Sequence, residues 1–256
     1  MLSLQELKPL PLGKTILFFT VPAIILYVTH YHLVPAYVVG KGVAYLNGYL
    51  VGYVVTMGFF VVATLVAYLM EGNPVRWTAF RRRYRLRRMD KIDWLWTVIL
   101  IIFVLITYFG LSYTGEWVRS VPLLAPRGAW PTEFGPGAVN NFVPGEFMGL
   151  PLHGQWWVVL VYTLGWFFNI FGEELWFRGY LLPRQELAFG EAAWVVNGLM
   201  FSLTHIWQPW IIIAILPSSL LLVYIVQKRR NTWIGIFQHG IVNSGLLLVL
   251  IGGVIG

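Results

Sequence analysis

Long apolar runs, each about as long as a membrane-crossing helix, recur along the chain and are separated by short polar segments. A transmembrane helix needs about twenty predominantly apolar residues. Seven runs meet this requirement, at residues 14–34, 43–70, 93–113, 155–182, 191–207, 209–227 and 232–254. The pattern predicts an all-α fold, a polytopic bundle of about seven transmembrane helices. We expect the first run to be retained as a span, because no small-residue cleavage site follows it.

The overall composition agrees with a membrane protein and excludes several kinds of site. Hydrophobic residues make up 58% of the 256 positions and charged residues 11%, against about a quarter charged in soluble proteins. The chain contains no cysteine, which excludes disulfides, thiolate metal sites and cysteine nucleophiles. We therefore expect an integral, multi-pass protein of a bacterial or archaeal cytoplasmic membrane.

Positive charge is concentrated in one connection, residues 71–92, which we call the basic loop. It contains eight cations: Arg76, Arg81, Arg82, Arg83, Arg85, Arg87, Arg88 and Lys91. Loops rich in arginine and lysine remain in the cytoplasm, so we predict a cytoplasmic N-terminus and an outer C-terminus. Anionic lipid headgroups are the expected partner of this loop. We expect no nucleic-acid partner, because the cations lie in short loops between apolar runs.

These patterns divide the chain into three regions. Residues 1–113 form an N-terminal membrane region with three spans and the basic loop. Residues 114–154 form an outer loop rich in proline and glycine, and residues 155–256 form a four-helix membrane core that we predict to be catalytic. The aromatic residues of the outer loop suggest that it packs on the membrane surface or caps the bundle: Trp130, Phe134, Phe142 and Phe147.

Charged groups interrupt the fourth apolar run, at Glu173, Glu174 and Arg178. Ionisable residues at membrane depth are functional candidates. Glu174 precedes Arg178 by four residues, the spacing of an ion pair on one helix face, whereas adjacent residues such as Glu173 point elsewhere. A carboxyl group that is desolvated and unpaired is suited to exchange a proton near neutral pH, as a general base does. We therefore predict that Glu173 is reactive and that Glu174 and Arg178 support it; alternatively, both carboxylates only pin helices together.

Two later runs carry polar residues at a similar membrane depth. Asn197, Phe201 and His205 recur every four residues, as do His239 and Asn243. At about 1.5 Å per residue, Glu173 lies roughly 15 Å from the cytoplasmic end of its run, His205 roughly 21 Å and Asn243 roughly 16 Å. The three runs therefore bring their polar groups to one layer.

The motifs Glu173-Glu174-x-x-x-Arg178, Phe201-x-x-x-His205 and His239-x-x-x-Asn243 resemble those of the CPBP family of intramembrane proteases. This family includes CAAX prenyl endopeptidases of the Ras-converting type and bacterial "abortive infection" proteins. The resemblance covers about residues 155–248, including the flank Phe177–Arg184, and no motif matches in the first 150 residues. CAAX endopeptidases of this type have eight spans, one more than predicted here.

The resemblance implies a helical bundle with a polar cavity that opens toward the cytoplasm, and an endopeptidase that acts on a membrane-associated or lipidated protein. In it, Glu173 activates water with help from His205, and His239 and Asn243 donate hydrogen bonds to the oxyanion. Support is expected from the remaining motif positions and their neighbour: Glu174, Arg178, Phe201 and Asn197.

Three alternatives stay open at this stage. A glutamate and two histidines can hold Zn²⁺, although the helix signature His-Glu-x-x-His is absent and Asn243 suits an oxyanion donor better than a metal ligand; we expect no metal or other cofactor. A non-catalytic scaffold or bacteriocin-immunity protein would keep the same fold. A transporter would use the glutamate and histidines as a proton relay, but its polar groups would be expected in both halves of the chain.

Overall fold

The computed structural model describes residues 6–125, 130–135 and 145–256. The described chain is an all-α membrane bundle, as predicted, with one two-stranded hairpin outside the helices. The N-terminal half contains α1 (Leu12–Val28), a π-helical turn (Thr29–Leu33), α2 (Val34–Lys41), α3 (Tyr45–Met70), α4 (Trp77–Arg83), α5 (Lys91–Gly110) and α6 (Thr114–Arg119). A 3₁₀ turn (Thr132–Phe134) and the antiparallel strands β1 (Glu146–Phe147) and β2 (Leu150–Pro151) follow.

The C-terminal half begins with α7 (Trp156–Glu173), which continues without a break into a π-helix (Glu174–Leu181) and α8 (Leu182–Phe189). A 3₁₀ turn (Gly190–Ala192) leads to α9 (Ala193–Thr204). Two further 3₁₀ turns (His205–Trp207 and Pro209–Ile211) precede α10 (Ile212–Arg229) and α11 (Trp233–Ile255).

Six helical segments in the described part of the chain are long and apolar enough to cross a membrane. They are Leu12–Lys41, Tyr45–Met70, Lys91–Gly110, Trp156–Trp207, Pro209–Arg229 and Trp233–Ile255. The segment Trp156–Trp207 contains two of the predicted spans, 155–182 and 191–207. Gly190, in the connection between them, has φ of 57°, a conformation that glycine adopts without steric cost.

Small residues allow α3 and α7 to approach closely. A Cβ atom at Gly172 would lie 2.8 Å from Cβ of Phe60, and one at Gly165 would overlap the ring of Tyr53. Close backbone approach at glycine is a common basis of helix association in membranes. The contact fixes α7, and with it the carboxylates at its end, against the N-terminal half of the chain.

The two ends of the bundle are built differently. At one, the basic end, the basic loop meets α8 and the connection between α10 and α11. Arg85 forms a bidentate ion pair with Glu186 at 2.6 and 2.7 Å, and Arg229 pairs with Asp93 at 2.7 Å. Asp90 and Asp93 also form a capping box that begins α5. Three of the eight cations of the basic loop, Arg83, Arg85 and Arg87, thus pair with protein carboxylates.

The opposite end, the loop end, carries the described parts of residues 111–155 and the 3₁₀ turns before α10. Trp210 donates to the carbonyl oxygen of Phe134 at 3.0 Å, and the Phe134 ring lies 5.1 Å from that of Tyr49. Trp130 stacks on Tyr31. Of the two expectations for this loop, these contacts agree with a cap on the bundle. Phe142 lies outside the described residues.

Candidate active site

A cavity of about 450 Å³ lies between α3, α5, α7, α10 and α11. It is lined by nearly all the candidate site residues that were singled out in the sequence. These are Glu173, Glu174, Arg178, Phe201, His205, His239 and Asn243. The remaining candidate, Asn197, is fully buried and is absent from the cavity wall. Three separate membrane segments therefore meet at one polar site.

Glu174 is the centre of an ion-paired group. Its Oε1 atom lies 3.3 Å from Nη1 of Arg178 and 3.1 Å from Nδ1 of His239, and the side chains of Glu174 and Arg178 are fully buried. The Arg178 guanidinium also stacks over the Phe201 ring at 3.9 Å. Burial of a charge requires such a partner. The predicted pair of Glu174 and Arg178 is present, with His239 as a third member.

Glu173 is in a different situation. It is 5% exposed, lines the cavity, and forms no ion pair with any described residue. The side chain of Asn169, one helical turn earlier, is close enough to interact with the carboxyl group of Glu173. The sequence indicated no partner for Glu173 in its own segment. In the structure, Asn169 of the same helix is such a partner. An asparagine four residues before a glutamate, inside an apolar run, was the available signal.

Helical phase also predicted that the two glutamates point apart, whereas both line the same cavity. The helix changes from α to π at Glu174. The two residues differ in their partners rather than in the space that they face.

Two asparagines connect Glu173 to the ion-paired group. The Asn243 amide donates to Oδ1 of Asn169 at 3.0 Å and lies 3.0 Å from Nε2 of His239. Since Nδ1 of His239 faces a carboxylate, that nitrogen carries the proton and Nε2 accepts from Asn243. The hydrogen-bond chain runs Asn169, Asn243, His239, Glu174, and its first member lies beside the Glu173 carboxyl group. The predicted oxyanion donors therefore already have protein partners.

His205 lies across the cavity at the end of α9. Its Nδ1 atom is 3.1 Å from the carbonyl oxygen of Phe201, an acceptor, so Nδ1 carries the proton and Nε2 presents a lone pair. The ring packs edge to face on Phe201 at 5.2 Å. The histidine is thereby oriented as an acceptor for a water molecule.

The π-helix needs outside hydrogen bonds, and two residues supply them. Asn197 donates to the carbonyl oxygen of Phe177 at 3.0 Å, and Arg83 donates to those of Gly179 and Tyr180 at 3.0 and 3.4 Å. Asn197 and His205 are eight positions apart, so on an α-helix they are rotated by about 80° from each other. Asn197 holds the segment that carries the carboxylates.

Arg83 also corrects a prediction. The cations of the basic loop were expected to contact lipid headgroups, but Arg83 is 3% exposed and makes a bidentate pair with Glu71 at 2.6 and 2.7 Å. The eight cations of the basic loop have similar neighbours in the sequence, so the sequence did not indicate that Arg83 would be buried.

The residues present do not form a ready metal site. No group of three or more His, Cys, Asp or Glu side chains within the described ranges is arranged to hold an ion. Both ring nitrogens of His239 have protein partners, and only one ring nitrogen of His205 presents a lone pair. Zn²⁺ would have to displace these contacts.

One comparison with known proteins found a match that covers this part of the chain. Residues 155–245 match the family model described as Rce1-like, type II CAAX prenyl endopeptidase, and the match contains every motif residue of the cavity. Comparisons with curated proteins and with solved structures found no match. Residues 155–245, from the start of α7 into α11, are thus similar to the Rce1-like type II CAAX prenyl endopeptidase family, which is consistent with membership of the CPBP family.

Proposed function

We propose that the protein is an intramembrane endopeptidase in which Glu173 activates the attacking water. One observation carries this proposal: Glu173 faces the cavity without an ion pair, whereas Glu174 beside it is neutralised by Arg178 and hydrogen-bonded to His239. A carboxylate that is not committed to a cation is free to accept a proton. The family match supports peptide hydrolysis as the reaction.

In this mechanism a water molecule lies between Glu173 and the free Nε2 atom of His205. Glu173 removes a proton as the water oxygen bonds to the carbonyl carbon of the scissile peptide. The oxygen of that carbonyl becomes an oxyanion and accepts a hydrogen bond from Asn243, in place of Asn169. His239, whose Nε2 atom accepts from Asn243, orients this donor. The C–N bond then breaks, the amine takes the proton from Glu173, and the products are a carboxylate and an amine.

Glu174, Arg178, Phe201 and Asn197 act as positioning residues. Glu174 fixes His239, Arg178 balances Glu174, Phe201 lies under the Arg178 guanidinium, and Asn197 holds the π-helix. No metal takes part in this mechanism, because the carboxylate itself supplies the base.

The substrate is a membrane-associated polypeptide, and the cavity walls favour one with an apolar or lipidated part. Beyond the polar group the lining is aliphatic and aromatic, contributed by α5, α10 and α11: Val104, Leu105, Phe109, Ile215, Leu222 and Leu246. Apolar walls with a few polar groups at one end are typical of sites that bind amphipathic ligands.

Mass spectrometry of membrane proteins tests the function. Cells that carry the wild type should contain a truncated polypeptide that is absent from cells carrying Glu173→Gln at the same level of protein. Its new terminus would identify the substrate and the bond. Identical peptide profiles, together with a phenotype that the variant still supports, would favour the non-catalytic scaffold.

A further inference from the structure

A second space, of about 740 Å³, is separated from the active site by the π-helix, and we call it the second groove. Trp176 and Tyr180 line the second groove, whereas Glu174 and Arg178 line the active-site cavity. The other walls come from the N-terminal segment 6–8, α1, α3 and α8. The π-helix that carries the carboxylates thus borders a space on each of two faces.

One end of the second groove is polar and lies at the basic end of the bundle. Lys8 precedes the first membrane segment, which begins at Leu12, and Glu71 follows the second, which ends at Met70. Arg184 lines the same end, with its Nη1 atom 3.9 Å from Oε1 of Glu71. Since these charged groups lie just outside two apolar segments, they are at the depth of lipid headgroups.

The charges at this end leave an excess of one cation. Glu71 is occupied by Arg83, which binds both of its carboxylate oxygens at 2.6 and 2.7 Å. Among the described residues, the remaining charged groups of the lining are Glu6, Lys8 and Arg184. Arg184 donates to the carbonyl oxygen of Lys8 at 3.1 Å, a neutral acceptor. A single negative charge bound at this end would therefore complement it.

Below the charged groups the second groove is apolar and about as deep as one leaflet of a membrane. The apolar wall consists of Phe18, Phe59, Val62, Val66, Met70 and Trp176. Phe59 and Met70 both belong to α3 and are separated by roughly 16 Å along the helix. Half of the hydrocarbon core of a bilayer is about 15 Å thick. The apolar part thus matches the length of one lipid acyl chain.

A buried polar atom in this wall lacks an acceptor. Trp176 is 7% exposed, and its indole N–H group finds no acceptor among the described residues. The indole stacks on Tyr180 at 5.1 Å and packs edge to face on Phe18 at 5.7 Å, so it is held in place. Buried N–H groups in proteins nearly always have a partner, and an oxygen atom of a bound molecule would provide one here.

We propose that the second groove binds one anionic phospholipid from the membrane leaflet at the basic end. Its phosphate lies beside Lys8 and Arg184 and supplies the single negative charge, while one acyl chain covers the apolar wall along α3. The ester groups of a phospholipid lie between phosphate and chains, which places an acceptor oxygen toward Trp176. The site is distinct from the basic loop, since none of the eight cations of that loop, all within the described residues, lines the second groove.

Two matched pairs of variants test this site. Lys8→Gln removes a cation of the second groove, and Lys14→Gln removes another exposed cation that does not line it. Val66→Trp fills the apolar part, whereas Val55→Trp places the same side chain at an exposed position of α3 outside the second groove. All four positions are exposed, so the variants leave the packed core intact.

Native mass spectrometry of the purified protein, titrated with phosphatidylglycerol in detergent, measures the affinity for the first bound lipid. We expect Lys8→Gln to lower this affinity about fivefold, the contribution of one cation at a lipid surface. Val66→Trp should lower it at least as much, because the chain loses its space. Lys14→Gln and Val55→Trp should bind like the wild type. Phosphatidylcholine, which has no net charge, should bind more weakly than phosphatidylglycerol.

Equal affinities within either pair of variants would overturn the proposal, because binding would then depend on general surface charge or on no defined groove. Equal binding of phosphatidylcholine would also overturn it, since the polar end would not select a negative charge. Displacement of the lipid by inorganic phosphate would show a site for the free anion instead. Because no cleavage is measured, failure of this test is distinct from failure of the proposed function.

Discussion

Nδ1 of His239 lies 3.1 Å from Oε1 of Glu174, although the two residues are 65 positions apart in the chain. The contact joins α11 to the π-helix and links the two halves of the site. It also separates the roles of the two adjacent glutamates, because Glu174 is occupied by His239 and Arg178 while Glu173 keeps its carboxylate toward the cavity.

Glu174→Gln should destabilise the folded protein strongly. The change leaves the fully buried Arg178 without its counter-charge, and breaking a buried ion pair in this way costs about 3–5 kcal/mol. Thermal unfolding in detergent measures the effect. The double variant Glu174→Gln/Arg178→Met should recover part of the loss, since no unpaired cation remains. A double variant less stable than Glu174→Gln would contradict the pairing.

Gly235→Ala should damage both stability and cleavage. A Cβ atom at this position would overlap Oε2 of Glu174, and overpacking of a buried site typically costs about 1–3 kcal/mol. Gly245→Ala is the matched control on the same helix, because a Cβ there meets nothing within 4 Å. The control should be neutral or slightly stabilising, as alanine has the higher helix propensity. Equal effects of the two substitutions would show that Gly235 is not a contact point of the site.

Arg83→Gln should lower the cleavage rate, whereas Arg82→Gln should not. The first change removes the donor to two π-helix carbonyl groups and the partner of Glu71; the second removes the same charge from an exposed neighbour. Hydrogen–deuterium exchange of the amides in residues 174–182 provides a readout that does not need a substrate, and it should rise in Arg83→Gln alone. If both variants behave alike, the loop acts through its charge and Arg83 has no positioning role.

Treatment with a strong chelator should leave cleavage by the purified protein unchanged, because the proposed base is a carboxylate. The metal content of active protein, measured on the same sample, should show no stoichiometric zinc. Complete loss of cleavage that is restored by Zn²⁺ would show that a metal ion supplies the nucleophile instead.

The membrane bundle and the polar layer followed from the sequence, since apolar runs of fixed length and a rise of about 1.5 Å per residue are local properties. Those properties placed Glu173, His205 and Asn243 at one depth, and the structure brings them to one cavity. The pairing of Glu174 with Arg178 was equally local.

The features that escaped the sequence depend on tertiary contacts. Three carbonyl groups of the π-helix at Glu174–Leu181 accept hydrogen bonds from Arg83 and Asn197, which belong to other segments. Asn169 gains its role from Asn243, 74 residues away. The span boundaries likewise depend on which surfaces the folded chain buries. So does the burial of Arg83, one of the eight cations of the basic loop.

The central claim is that Glu173 is the base, and the most direct measurement is the cleavage rate of purified Glu173→Gln on the substrate found by mass spectrometry. Loss of a general base lowers the rate by about 100- to 10,000-fold. The exposed carboxylate variant Glu191→Gln, at 90% side-chain exposure, serves as the control and should cleave at the wild-type rate. We predict that Glu173→Gln retains wild-type thermal stability and loses cleavage to this extent; folded Glu173→Gln that cleaves at the wild-type rate would contradict the account.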